Sequence, residues 1–204
     1  MFLVRPPILL KKLYPSLLWK VNTQEKEVYL SFDDGPHPEI TPWVLDVLND
    51  FQAKAIFFCV GENVERYPDI YKRILAEGHY CGNHTHNHLN GWSSDSAVYL
   101  KNVAACARLV HTNFFRPPYG RLKNTQAKRI SRHYRIVMWD VLSGDFDRTM
   151  APEKCLENTL HYSRPGSIVV FHDSLKARKN LFSVLPLYLT EMKNRGYRFP
   201  LLPG

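Results

Sequence analysis

From residue 28 to the C-terminus, apolar runs of strand length alternate with segments of helical periodicity, and this alternation limits the fold more than any other feature. Strands are expected at 28–33, 55–60, 79–82, 114–116, 135–140, 167–172 and 197–201. Thr41-Pro42 opens a helix over 43–51, with a cap residue followed by proline at the first helical position. Pro68 opens 69–77, which Gly78 ends, and Ser93 or Ser94 caps a long segment to residue 110. Pro152 opens 153–161, and 181–194 ends at Gly196 before the last strand. Continuous apolar strands are buried on both faces, which predicts a parallel sheet with helical cover. A nearly closed β/α barrel and an open doubly wound sheet both fit this order. In either, chemistry gathers at the carboxyl ends of the strands.

The 204 residues suit one domain with a short appendage. We place an N-terminal arm at 1–26 and the domain at 27–204. The net charge of +8 could draw nucleic acid, anionic lipid or an acidic glycan. The longest basic cluster, Lys176-Ala177-Arg178-Lys179, is short, so the excess reads as dispersed and no nucleic-acid partner is expected. Cys59, Cys81, Cys106 and Cys155 show no C-x-x-C spacing and read as buried thiols without disulfides, which favours a reducing compartment. The arm is apolar and basic, but Arg5, Lys11, Lys12, Lys20 and three prolines interrupt it. It contains neither a membrane-spanning stretch nor a signal-peptide core. It is expected to pack on the domain, with peripheral membrane contact as the alternative. Without an export signal the chain reads as cytoplasmic. Nothing in the pattern specifies an oligomer.

Polar groups stand where the strand-end rule asks for them. Asp33 and Asp34 end the first strand, and His84-Thr85-His86-Asn87-His88 follows the third. Arg116 ends the fourth, Asp145 follows the fifth and His172 ends the sixth. Adjacent carboxylates next to a buried strand need a cation or a shared proton. One carboxylate and two imidazoles, with a position left for water, make a hydrolytic metal site, and the second carboxylate can then act as a base. His86 competes with its neighbours as a ligand. The two prolines after Arg116 stiffen its turn, and a guanidinium held there can orient a carboxylate. A histidine at a strand end, with an aspartate beside it, can serve as a proton donor, and the alternative is a core-edge residue with its hydrogen bonds satisfied. The absence of G-x-S-x-G, G-x-x-x-x-G-K-[ST] and G-x-G-x-x-G removes serine-hydrolase and phosphate-cradling readings.

Taken together, five segments in order resemble the polysaccharide deacetylase family, also called the NodB homology domain or carbohydrate esterase family 4. They are Ser31-Phe32-Asp33-Asp34-Gly35, His84-Thr85-His86-Asn87-His88, Arg116-Pro117-Pro118-Tyr119, Asp140 to Phe146, and Ile168-Val169-Val170-Phe171-His172. The resemblance spans about 27–202. It implies a distorted (β/α) barrel of about seven parallel strands. It makes Asp33 the general base, oriented by Arg116, and gives one divalent ion to Asp34, His84 and His88. Zinc is expected there, with cobalt or nickel as substitutes. The backbone N–H of Tyr119 would face the oxyanion, and Asp145 would tune His172, the acid.

The implied activity is removal of N-acetyl groups from N-acetylglucosamine-containing glycans of peptidoglycan or chitin type. Such a role would place the protein in the cell envelope or outside the cell. Trp92, Tyr119 and Phe146 are candidate sugar platforms. Two residues depart from the family pattern: Phe146 replaces a usual tryptophan, and Leu142 stands where an acid is frequent. Rival readings are a deacylase of another small amide or ester, and a non-catalytic glycan-binding protein. The second has no use for Asp33 or His172.

Overall fold

Tyr29, Leu30 and Phe32 leave no face of their segment suited to water, and the segment forms the fully buried central strand β1 (Tyr29–Asp33). The computed structural model describes residues 3–204; Met1 and Phe2 of the expected arm lie outside the described residues. β2 (Ala55–Cys59), β3 (Tyr80–Asn83), β4 (Phe114–Phe115), β5 (Arg135–Ile136), β6 (Val141–Leu142) and β7 (Ile168–His172) complete one parallel sheet. Its order is β5-β4-β3-β2-β1-β7-β6, curled into a half-barrel, which agrees with a distorted (β/α) barrel. Leu30, Phe32, Phe57, Val169 and Phe171 point outward into the core under the helices, while Tyr29, Ile56, Phe58 and Ile168 pack inside the curl. Ser31 and Asp33 share the inner face with Tyr29 by the two-residue period of a strand. That register sends the Asp33 carboxylate into the barrel. Asp33 pairs with Phe58 on one side and His172 on the other.

The helices are α1 (Ile8–Leu13), α2 (Ile40–Asp50), α3 (Gly61–Arg66), α4 (Pro68–Ala76), α5 (Ser96–Ala107), α6 (Asn124–Ile130), α7 (Pro152–Tyr162) and α8 (Arg178–Asn194). α4 and α7 start at their prolines, as expected. α5 is capped by Asp95, whose carboxylate accepts from the Ala97 and Val98 N–H groups, and not by Ser93 or Ser94. Thr41 is not a cap, because α2 begins one residue earlier.

Two strand expectations need correction. The 197–201 segment forms no strand. It makes one bridge, Glu27 to Arg198, then sends Phe199 into the core, and Pro200 has no N–H to continue a ladder. The expected 135–140 strand stops at Ile136. The chain then crosses the barrel opening and adds β6 to the opposite edge of the sheet, beside β7.

Residues of the arm fill that opening. The Leu18 N–H donates to the Ile136 carbonyl at 2.9 Å, the Met138 N–H to the Leu18 carbonyl at 2.7 Å, and the Leu142 N–H to the Val4 carbonyl at 2.8 Å. Arg5 and Lys11 both bind the fully buried Asp140 carboxylate, which also accepts from the Ser167 hydroxyl at 2.6 Å. Burial alone would raise the Asp140 pKa, but Lys11, Ser167 and Arg5 together hold it below the usual carboxylate range. Losing a charge-assisted bond costs about 1.5–3 kcal/mol, or a roughly tenfold or greater rise in local opening. Asp140→Asn should therefore speed tryptic cleavage after Lys11 and Lys12 by at least about tenfold. Limited proteolysis read by mass spectrometry checks this, and an unchanged rate would show that the arm is held by other contacts.

Candidate active site

The carboxyl ends of β1, β3, β4 and β7 open into one cleft of about 850 Å³, lined by Asp33, Asp34, His84, His88, Tyr119 and His172 among others. Ligand atoms of Asp34, His84 and His88 all lie within 4.8 Å of one another. The His88 Nε2 is 3.1 Å and the His84 Nε2 3.7 Å from the Asp34 Oδ1. Each imidazole is oriented from behind. The His84 Nδ1–H donates to the Arg116 carbonyl at 2.8 Å, which leaves Nε2 with its lone pair toward Asp34. The His88 Nδ1 lies 3.2 Å from the Tyr119 hydroxyl, and the Tyr119 ring meets the His88 ring edge-on at 4.6 Å. His86 turns away to Glu65, at 3.8 Å. Burial would raise the Asp34 pKa, but His84 and His88 hold it well below the carboxylate range. Two imidazole nitrogens and an ionised carboxylate, preset at this spacing, are a donor set that fits a divalent ion such as zinc.

Arg116 is fully buried, against the simple expectation for a strand-end arginine. Its Nη1 donates to the Asp33 Oδ1 at 2.7 Å and to the Ser31 hydroxyl at 2.8 Å. Nε and Nη2 donate to the Val137 and Met138 carbonyls, and the guanidinium lies 4.1 Å over the Phe58 ring. All three guanidinium nitrogens donate, in four bonds, so the Asp33 carboxylate meets a fixed partner.

Across the cleft, the Asp145 carboxylate accepts from the His172 backbone N–H at 2.7 Å and pairs with the His172 Nδ1 at 2.8 Å. Burial alone would depress the His172 pKa. Asp145, then Asp34 and Asp33, overcome it and raise the value to about 9. Phe146 packs its ring edge-on to His172 at 5.0 Å, so it walls the imidazole. Trp92 stands 60% exposed on the rim, its Nε1–H donating to the Leu122 carbonyl.

Backbone strain concentrates here. Among the described residues, four of the five non-glycine positions with left-handed φ are Asp34, Thr85, His88 and Tyr119. Such conformations cost of order 1–3 kcal/mol each and persist where the surroundings enforce them. Those surroundings include residues with no functional label in the sequence. The Asn83 carboxamide accepts from the Thr85 N–H, Asn102 accepts from the His86 N–H, and the Asn63 side chain donates to the Asp34 carbonyl. Buried Asp173 accepts from the Gly35 N–H at 3.1 Å and from the Thr41 hydroxyl. Burial, outweighing the Thr41 bond, raises its pKa to about 7, with Asp34 and Asp33 adding to the rise. A Cβ on Gly35 would sit 2.0 Å from the Asp173 Oδ2. Gly35→Ala should therefore cost about 1–3 kcal/mol and displace the Asp33-Asp34 turn. A lowered Tm together with weakened divalent-ion uptake checks it; a wild-type Tm would show that the turn is free to shift.

Of the sequence-expected residues, Asp33, Asp34, His84, His88, Trp92, Tyr119, Phe146 and His172 line one cleft, while Arg116 and Asp145 are buried behind it, bonded to Asp33 and His172. Asp173, Asn83, Asn102 and Trp139, which also lines the cleft, carry no motif in the sequence that marks them. Asp173 directly follows His172, and that adjacency was the available signal.

Comparison with known proteins extends this picture. The family model described as polysaccharide deacetylase matches residues 20–137. A peptidoglycan-N-acetylglucosamine deacetylase of Bacillus cereus is 34% identical over 202 residues, covering 94% of each chain. A chitooligosaccharide deacetylase of Azorhizobium caulinodans is 30% identical and covers 90% of this chain and 96% of its own. The crystal structure of the Bc1960 peptidoglycan N-acetylglucosamine deacetylase, bound to a naphthyl N-hydroxybenzamide, superposes with a TM-score of 0.84 at 33% identity, covering 92% of this chain and 91% of that one. A family match over more than half of the residues, and relatives this similar along nearly their whole length, establish that the chain belongs to the polysaccharide deacetylase family of hydrolases.

Proposed function

We propose that the protein is a metal-dependent N-deacetylase of N-acetylglucosamine-containing glycans, working at the cell envelope. The supporting observation is that an oriented carboxylate and a raised-pKa imidazole flank one three-residue ligand cluster. Asp34, His84 and His88 would hold one divalent ion, zinc by preference, with cobalt or nickel as substitutes. When bound, the ion supplies Lewis-acid polarisation of the acetyl carbonyl and a lowered pKa for water at the site.

The chain's own residues do the rest. Asp33, aimed by Arg116, takes the proton of the attacking water. The Tyr119 backbone N–H, on its left-handed turn, faces the developing oxyanion. An amine leaves poorly unless protonated, and His172, held cationic by Asp145, donates that proton. Trp92, Tyr119 and Phe146 supply aromatic surface for the sugar.

The ligand assignment has its own test. His84→Ala and His88→Ala should each weaken zinc binding by more than the roughly 10–100-fold that losing an outer partner costs, while His86→Ala should bind zinc like the parent. Calorimetric titration of the metal-free variants reads this. Loss of zinc in the His86 variant, with retention in the His84 variant, would exchange the two roles. Among the described residues no helix is long and apolar enough to cross a membrane.

A further inference from the structure

The cleft lining is of two chemical kinds. The residues just described present carboxylates and imidazoles. The lining also includes Leu3, Pro6 and Leu10 of the arm, together with Trp139 and Leu142. The arm's neighbouring cations, Arg5 and Lys11, bind Asp140 instead of the cleft, so the side chains the arm turns toward the cleft are apolar. α1 buries none of its residues, and Leu3 and Leu10, which line the cleft, remain 62% and 38% exposed. A concentration of exposed apolar side chains running into a cleft marks a ligand surface. The aliphatic part of this wall, Leu3, Pro6, Leu10 and Leu142, offers no hydrogen-bond partner to sugar hydroxyls.

We propose that the arm side of the cleft is a subsite for an apolar chain attached to the sugar, so that the preferred substrate is an acetamido sugar carried on a lipid-like aglycone. This rests on the deacetylase reading and adds the substrate class. The occupant is the aglycone, because Leu3 and Leu10 line the same cleft as Asp33 and His172 and are open to solvent. Asp140 is then a positioning residue that fixes the wall through Arg5 and Lys11.

The test compares octyl and methyl β-glycosides of N-acetylglucosamine with the zinc-loaded full chain, the octyl compound below its micelle concentration. Acetate release should show a kcat/KM at least about tenfold higher for the octyl glycoside, carried by KM, which is what burial of about two methylenes yields. The double variant Leu3→Ser/Leu10→Ser should bring that ratio toward one, and Leu3→Met/Leu10→Met should keep it. Calorimetry on Asp33→Asn protein, whose turnover is slowed, should show the same order of affinities. Equal kcat/KM for the two glycosides, or a preference that survives the double serine variant, overturns the proposal. If chitin oligomers release acetate and the octyl glycoside shows no advantage, only this inference falls. If no acetylated sugar releases acetate, the deacetylase reading falls and takes this inference with it.

Discussion

Asp33→Asn is expected to lower kcat on an acetylated oligosaccharide by about 10²–10⁴-fold while zinc content stays at the parent level. The size follows from what is lost: the carboxylate that removes the water's proton and the anchor that positions that water. Asn keeps an oxygen for the Arg116 Nη1, so the bond at 2.7 Å survives while the counter-charge does not. Arg116 is fully buried and keeps its bonds to Ser31, Val137 and Met138. Both variants leave the buried cation without its counter-charge; Asp33→Ala removes the acceptor as well and leaves a buried N–H unpaired, which costs about a further 1–3 kcal/mol. The two variants should thus be equally inactive but unequally stable, with the alanine variant melting lower. Near-parent turnover in a folded Asp33→Asn protein would make Asp33 a structural partner of Arg116 and move the base elsewhere.

The second large effect concerns the acid. His172→Ala should lower turnover of acetamido sugars by about 10²–10⁴-fold and spare an activated aryl acetate, whose leaving group needs no proton. A rate that requires ionised Asp33 and cationic His172 is bell-shaped in pH. Its alkaline limb reports the His172 value that Asp145, Asp34 and Asp33 raise to about 9 against the effect of burial. A cation held by Asp34 cancels that carboxylate's share, so the limb of the loaded enzyme lies lower and depends mainly on Asp145. Asp145→Asn should move it to more acidic pH. The stability linkage has the same sign: the raised value stabilises the fold below about 6.5, and this contribution is lost as pH rises toward 9. Equal loss on both substrate types in His172→Ala would show that His172 holds the site together and donates no proton.

Much of this was legible because strand-end chemistry follows from pattern. Runs buried on both faces located β1, β2, β3 and β7 to within a residue or so, and the polar groups following them are those that line the cleft. What escaped was non-local. No periodicity marks α1, α3 or α6, which span six or seven residues each. The apolar run after Arg135 does not reveal that it leaves one sheet edge for the other, because burial while crossing the barrel demands the same residues as burial in a strand. The 197–201 segment has strand composition, yet only a bridge forms before Pro200. The sequence makes Arg116 the partner that orients Asp33, but its burial and its four acceptors, drawn from β1 and the 137–138 segment, are set by non-local packing that no local pattern reveals. Asp173 differs again: its partners, Gly35 and Thr41, lie more than 130 residues away, and only β1–β7 pairing brings them to it.

The most direct test is acetate release from chitin tetramer by chelator-stripped protein, titrated with zinc. The account predicts no release from the stripped protein, recovery that saturates at one equivalent of zinc, and no recovery at that stoichiometry in His84→Ala. Full activity in the stripped protein, or recovery in His84→Ala at one equivalent, would contradict it.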